Sequence, residues 1–127
     1  ISARAIQFFT PGIPQVYYVG LLAGKNDEAK VKETGEGREI NRHNFSVEEI
    51  EKEVGKEVVQ RLIKLIEFRN DYPAFNGKFK VIDTNNNELI LSWEKDNKEC
   101  TLYCDLLTNK SIIKYIDDNE NLSIFNI

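Results

Sequence analysis

One stretch near the start of the chain, residues 10–20, restricts the possible folds more than any other. It reads Thr-Pro-Gly-Ile-Pro-Gln-Val-Tyr-Tyr-Val-Gly and follows an apolar segment, Ser2–Phe9, that predicts a short helix. Pro11 and Gly12 end that helix, because proline disfavours helical geometry in the residue before it and glycine accepts the turn. Pro14 is compatible with the first position of a strand but not with a strand interior.

The run that follows, Gln15–Val19, is β-branched and aromatic with almost no polar alternation. Such a run predicts a strand buried on both faces, as in a parallel sheet covered by helices. A helix, a tight turn, a buried strand and a long polar loop in succession are typical of one repeat of a β/α barrel. In barrels of this type the loop after the strand carries the chemistry.

The middle of the chain predicts helices separated by polar loops. A short helix is expected over residues 27–34, with Asn26 or Asp27 as its N-cap. Residues 46–54 begin with a Ser-x-x-Glu capping box and predict a second helix. The clearest helix covers residues 57–70, where apolar side chains recur with a period of 3.6. Residues 38–44 are polar and are expected to be extended or irregular.

The last part of the chain changes character and predicts an antiparallel sheet or a small sandwich. Short β-rich runs alternate with Asn- and Asp-containing turns, and we expect strands at 79–82, 88–94, 100–104, 111–116 and 122–127. A linker over residues 73–77, bounded by Pro73 and Gly77, separates this β domain at 78–127 from residues 1–72.

Composition and charge exclude several classes of function. The 127 residues are 41% hydrophobic and 30% charged, as in ordinary globular proteins, and the net charge is −4. No Lys/Arg cluster interleaves with aromatic residues, so nucleic-acid binding is not expected. No apolar run approaches the roughly 20 residues of a membrane span, and the first helix lacks the features of a secretory signal.

The two cysteines, Cys100 and Cys104, lie four residues apart in a predicted strand. They would share one face at a separation of about 13 Å, too far for a disulfide within a flat strand. Free thiols favour a reducing, cytoplasmic location.

The run at residues 15–19 has the composition of a buried strand. If it is exposed in the folded chain, we expect another partner to cover it, including a second copy of the chain.

The pattern Gly12-x-Pro14-x-Val16-Tyr17-Tyr18 resembles the eighth-strand signature of the α-amylase superfamily of glycoside hydrolases. A wider set of segments is similar to the sucrose phosphorylase branch of that superfamily, namely Ala3–Phe9, Gly24–Asp27 and Gly37–His43. The resemblance implies that residues 1–72 are the last part of a (β/α)8 TIM barrel and that 78–127 form a C-terminal antiparallel β domain. As a fragment the chain would be of the α+β class.

The resemblance also implies a reaction for a longer parent protein. Sucrose and inorganic phosphate would give α-glucose 1-phosphate and fructose by a retaining double displacement, with one carboxylate as nucleophile and another as acid/base. No cofactor is implied. The catalytic carboxylates match no motif here, so the chain alone should be inactive. The absence of methionine, and an opening inside a predicted helix, also indicate a C-terminal fragment of a longer enzyme.

Arg38 is the first candidate for substrate contact, because the resemblance implies that the matching arginine reaches the glucosyl subsite. A guanidinium suits this role, since its fixed fork of donors holds hydroxyls or the carboxylates that anchor them. The alternative is a salt bridge to Glu36 that only tethers the loop. Asn26, Asp27 and Arg42 are further candidates for substrate contact, and capping is an equal alternative for the first two.

Other polar and aromatic residues favour structural roles. His43 could titrate, but a single imidazole with no histidine or cysteine nearby does not indicate a metal site, and hydrogen bonding to backbone is the simpler interpretation. Tyr17 and Tyr18 are expected to pack in the core or at a barrel rim rather than to act as catalytic phenols. Cys100 and Cys104 are expected to be small core residues.

Three other functions stay open at this point. A related phosphorylase could act on sucrose 6′-phosphate, glucosylglycerol or glucosylglycerate, and a plain hydrolase would differ by not requiring phosphate. A non-catalytic carbohydrate-binding or assembly module built on the β-rich tail belongs to another class. An exposed aromatic platform would support such a module, and burial of Trp93 against its neighbours would count against it.

Overall fold

A computed structural model describes residues 1–127. The helices are α1 (Ser2–Phe9), α2 (Tyr18–Leu21), α3 (Glu28–Thr34), α4 (Val47–Val54) and α5 (Glu57–Asp71), with 3-10 helices at Gly37–Asn41 and Pro73–Asn76. The strands are β1 (Lys78–Ile82), β2 (Glu88–Lys95), β3 (Lys98–Asp105), β4 (Lys110–Ile116) and β5 (Leu122–Asn126). The chain divides into two compact units, residues 1–14 with 64–127, and residues 15–63.

The first unit is built on one five-stranded antiparallel sheet in the order β1-β2-β3-β4-β5. Each strand pairs with its neighbour in sequence, so every connection is a short turn. The predicted antiparallel sheet is therefore confirmed, with each strand within two residues of its expected position. Both cysteines are free and buried, as expected for small core side chains.

Helix α1 packs across β2, β3 and β4 and closes one face of the sheet. Ala5, Phe8 and Phe9 are fully buried on this helix, as its apolar spacing predicts. The indole Nε1 of Trp93 on β2 donates a hydrogen bond to the Phe9 carbonyl oxygen at 2.7 Å. Trp93 is 7% exposed, and its ring also contacts that of Phe75. This burial argues against an aromatic sugar-binding platform on the sheet.

Two side chains near the end of α5 complete this unit by bonding to backbone carbonyls. Arg69 Nε donates to the Phe8 carbonyl oxygen at 2.7 Å, and its guanidinium lies 4.3 Å from the centre of the Phe75 ring. The Tyr72 hydroxyl lies 2.8 Å from the Ile116 carbonyl oxygen. Burial raises the pKa of Tyr72 to about 12. These contacts join α5 to the C-terminal end of α1 and to β4.

The strand predicted at Gln15–Val19 is a wrong prediction. Tyr17 is extended, with φ −72° and ψ 144°, but Tyr18–Leu21 forms a single helical turn. A strand needs a partner for its backbone N–H and C=O groups, and residues 15–63 contain no second strand that could provide one. The place of residues 1–72 in a barrel, and the boundary at 73–77, therefore stay predictions.

One smaller expectation differs from the structure, and the structure adds two details. The polar segment after Gly37 is a 3-10 helix rather than extended, and the linker contains another, at Pro73–Asn76. On α5 the buried positions are Val59, Leu62 and Leu65, whereas Val58 is 43% exposed. No helix in the structure combines the length and apolar character that crossing a membrane requires.

We expect Arg69→Ala to lower the free energy of unfolding by about 2 to 3 kcal/mol, because it removes a charged hydrogen bond and a cation–π contact. Urea denaturation of the chain measures this. Lys64→Ala, at an exposed position on the same helix, is the matched control and should change stability by less than about 0.5 kcal/mol. Equal stability of the two variants would show that the contacts of Arg69 do not stabilise the fold.

Candidate functional site

The second unit presents its functional candidates around α3, a seven-residue helix with defined ends. Asp27 is the N-cap, and its Oδ1 accepts a hydrogen bond from the Lys30 amide at 2.9 Å. Gly35 ends the helix in the left-handed region at φ +71°, where a side chain would be strained. The prediction of Asp27 as a cap is therefore confirmed, and Asn26 precedes it as an exposed residue.

The 3-10 helix Gly37–Asn41, here the Arg38 helix, has no buried residue and is held by polar contacts. The backbone amide of Asp27 donates to the Ile40 carbonyl oxygen at 2.7 Å. The Lys30 ammonium lies 3.6 Å from a carboxylate oxygen of Glu39. Helix α3 and its cap therefore determine where the Arg38 helix lies.

Arg38 projects from this helix with a side chain that is 66% exposed. Its Nε donates to the Glu36 carboxylate at 2.7 Å and lies 3.9 Å from Glu39. The tethering salt bridge that the sequence offered as an alternative is therefore present. It does not exclude sugar contact, because an exposed ion pair is weak and the guanidinium carries five N–H donors.

A cleft of about 470 Å³ lies beside the start of α3, within the same unit. Its lining includes the predicted candidates Asn26 and Asp27, together with His43, Phe45 and Glu49. Gly24 also lines it, and a Cβ there would come within 2.8 Å of a Val19 methyl group, so only glycine lets the chain pass at this point. Arg38 and Arg42 are not among the residues that line this cleft.

His43 makes contacts that the sequence interpretation missed. Its Nε2 lies 3.2 Å from Glu49 Oε1, and its Nδ1 lies 4.0 Å from Asp27 Oδ2. The imidazole meets the Phe45 ring edge to face, with centroids 4.6 Å apart. The ring therefore faces carboxylates rather than backbone. The capping box was recognisable in the sequence, but nothing there placed His43 against its glutamate.

Glu49 is held on both sides of its carboxylate. It accepts from the Ser46 amide at 2.7 Å, and its own amide donates to the Ser46 hydroxyl, so the predicted capping box is confirmed. The Ser46 amide, followed by His43, lowers the pKa of Glu49. A carboxylate held in this way is a fixed negative charge at the entrance to the cleft.

The tyrosine pair lies in the same unit and is not buried. Tyr17 is 51% exposed, and its ring centre lies 4.5 Å from that of Tyr18, which meets Phe45 edge to face. The hydrogen bond with Tyr17 raises the pKa of the Tyr18 phenol, and the nearby charge of Arg42 opposes that shift. Core packing, one of the two expected roles, therefore does not hold for either ring in this structure, and packing at a barrel rim stays a prediction.

No group of three or more His, Cys, Asp and Glu side chains in the chain has the arrangement of a metal site. The candidate residues in this unit are the exposed Arg38 and the cleft residues His43, Asp27 and Glu49. Side chains of these types are suited to holding a polyhydroxy ligand by hydrogen bonds.

The curated relatives decide the family. A sucrose 6(F)-phosphate phosphorylase of Thermoanaerobacterium thermosaccharolyticum is 63% identical over 94% of this chain and 24% of its own length. The chain belongs to the sucrose phosphorylase branch of the α-amylase superfamily. A glucosylglycerol phosphorylase of Marinobacter adhaerens is 50% identical over 92% of the chain and 24% of that protein.

A solved structure extends this assignment to the fold. The crystal structure of a sucrose 6F-phosphate phosphorylase from Thermoanaerobacter thermosaccharolyticum matches 99% of the chain with a TM-score of 0.97 and 60% identity. The match covers 26% of that protein, in its C-terminal part. The chain thus spans about a quarter of the length of its phosphorylase relatives. No protein-family model matches it.

We expect Asp27→Ala to speed amide exchange in α3, at residues 31–35, by about fivefold, because losing an N-cap costs about 1 kcal/mol. Asp27→Asn should preserve the rate, since an amide oxygen also caps. Hydrogen–deuterium exchange measures both, with the exposed Glu33→Ala as control for a change within the helix. Fast exchange in the asparagine variant would show that the charge of Asp27, and not its capping, holds α3.

Proposed function

We propose that this chain is the C-terminal part of a phosphorylase that transfers an α-glucosyl group from a sucrose-type donor to inorganic phosphate. The observation that carries the proposal is the close match over nearly the whole chain to the sucrose 6F-phosphate phosphorylase structure, with the predicted motif Gly37–His43 in the folded second unit. The reaction would be a retaining double displacement on carboxylates outside residues 1–127, without an organic cofactor. The parent would be a cytoplasmic enzyme.

Sucrose 6F-phosphate is the donor that the relatives support best, because the protein at 63% identity acts on it by name. Sucrose itself, which the sequence resemblance indicated first, is the second candidate. A sucrose phosphorylase of Agrobacterium vitis supports it, at 49% identity over 89% of the chain and 23% of that protein. The two donors share the glucosyl group, so a residue in the glucosyl subsite would serve either.

Arg38 is the residue of this chain that we assign to the glucosyl subsite, with Arg42, Asn26 and Asp27 as secondary candidates. Its exposed guanidinium, held by Glu36 and steadied by Glu39, is presented with the right donors for sugar hydroxyls. In this role it would orient the donor while carboxylates elsewhere in the parent do the chemistry. Residues 1–127 alone would then have no turnover.

The test uses the complete protein that contains this chain, incubated with sucrose 6F-phosphate, sucrose or glucosylglycerol, each with and without phosphate. We expect α-glucose 1-phosphate to form only with phosphate, and fastest from sucrose 6F-phosphate. Arg38→Ala should lower kcat/KM for the donor by about 10- to 100-fold, the loss expected for a charged hydrogen bond. The exposed Lys32→Ala is the matched control and should leave kcat/KM unchanged.

The possible outcomes separate the parts of the proposal. Sugar release without phosphate would indicate a hydrolase and contradict the phosphorylase assignment. Faster turnover of sucrose than of its phosphate would favour the second candidate. Normal kinetics in the Arg38 variant would show that the Glu36 salt bridge is the whole role of this arginine.

A further inference from the structure

His43 lies between two carboxylates that each belong to the start of a different helix. Its Nδ1 is 4.0 Å from Asp27, the N-cap of α3, and its Nε2 is 3.2 Å from Glu49, the acid of the α4 capping box. The contact with Phe45 fixes the plane of the ring. One side chain therefore connects the N-termini of α3 and α4.

This connection lies directly beside the Arg38 helix in the chain. The helix ends at Asn41, two residues before His43, and its Ile40 carbonyl is bonded to the Asp27 amide. The backbone that carries Arg38 is thus hydrogen-bonded to Asp27 through Ile40. Two residues after the helix ends, His43 bonds to Glu49 and lies 4.0 Å from Asp27. Because no side chain of the Arg38 helix is fully buried, and its one apolar side chain, Ile40, is half-buried, these polar contacts contribute to fixing its position.

The other charged groups of the cleft do not replace this connection. Lys25, Lys52, Glu53 and Lys56 share the lining with Asp27 and Glu49, and Lys56 is paired with Glu53. Lys52 lies near enough to Glu49 to lower the pKa of that carboxyl, but His43 and the Ser46 amide have larger effects. Asp27 and Glu49 are therefore the groups that bear on the imidazole.

We propose that His43 is a positioning residue for Arg38, acting by holding Asp27 and Glu49 together so that the Arg38 helix keeps one place. The Nε2 of His43 is within hydrogen-bond distance of Glu49, whereas Nδ1, at 4.0 Å from Asp27, makes a longer polar contact. The proposal rests on the proposed function, in which Arg38 contacts the glucosyl group. His43 itself need not touch the sugar.

The kinetic test is a double-mutant cycle in the complete protein, with phosphorolysis of sucrose 6F-phosphate as the readout. His43→Gln keeps one N–H donor and should lower kcat/KM by about 3- to 10-fold. In an Arg38→Ala background the same change should have less than a twofold effect, because the residue it positions is gone. A merely structural histidine would lower activity equally in both backgrounds, and that result would overturn the proposal.

Amide exchange gives a second readout that does not depend on activity. His43→Gln should speed exchange at the amides of Asp27 and Arg42, which bond to Ile40 and Glu39, by about 3- to 10-fold. Lys25→Gln, in the same cleft but outside this network, is the control. Unchanged exchange in the His43 variant would overturn the anchoring role.

The two proposals fail in different ways. A wild-type protein that phosphorolyses none of the donors would overturn the proposed function, and the exchange measurement would still decide whether His43 anchors the Arg38 helix. An active wild type with a weakened Arg38→Ala variant, but a normal His43→Gln variant, would overturn the positioning role alone.

Discussion

The hydrogen bond from the Asp27 amide to the Ile40 carbonyl is the contact on which the candidate site depends. The Arg38 helix has one apolar side chain, that of Ile40, and it is only half-buried, so hydrophobic packing contributes little to its position. Its place is set by this 2.7 Å bond, and by the ion pair between Lys30 and Glu39. The N-cap geometry of Asp27 is in turn what directs its amide toward Ile40. The same residue, Asp27, therefore caps α3 with its side chain and positions the Arg38 helix with its backbone amide.

The weakness of the contacts around Arg38 is consistent with a role in binding. An exposed ion pair such as that with Glu36 contributes only about 0 to 1 kcal/mol, because water screens both charges. A sugar that replaced Glu36 as the partner of the guanidinium would therefore lose little. A buried salt bridge would resist that exchange, since removing one partner leaves an uncompensated charge. The histidine–carboxylate cluster adds rigidity to the backbone without fixing the arginine side chain itself.

Local rules were sufficient for much of the fold. The capping box at Ser46, the cap at Asp27 and the five strands each follow from short-range patterns, and the structure confirms them. The prediction at Gln15–Val19 was wrong because an apolar β-branched run indicates burial, whereas a strand also needs a hydrogen-bonding partner. The contacts of Arg69 with the end of α1, and of His43 with Glu49, join residues whose proximity no local pattern indicates. At the candidate site, the sequence indicated Arg38 and offered its salt bridge to Glu36, but the contacts of His43 with Glu49 and Asp27 needed coordinates.

In the proposed function, Arg38 holds the glucosyl group while the α3 cap and His43 hold Arg38 in place. The most direct measurement is a crystal structure of the complete protein with glucose or an unreactive donor analogue bound. We expect a guanidinium nitrogen of Arg38 within about 3.2 Å of a glucosyl hydroxyl, with the Asp27–Ile40 hydrogen bond retained. A sugar bound elsewhere, with Arg38 still paired to Glu36 and out of reach, would contradict it.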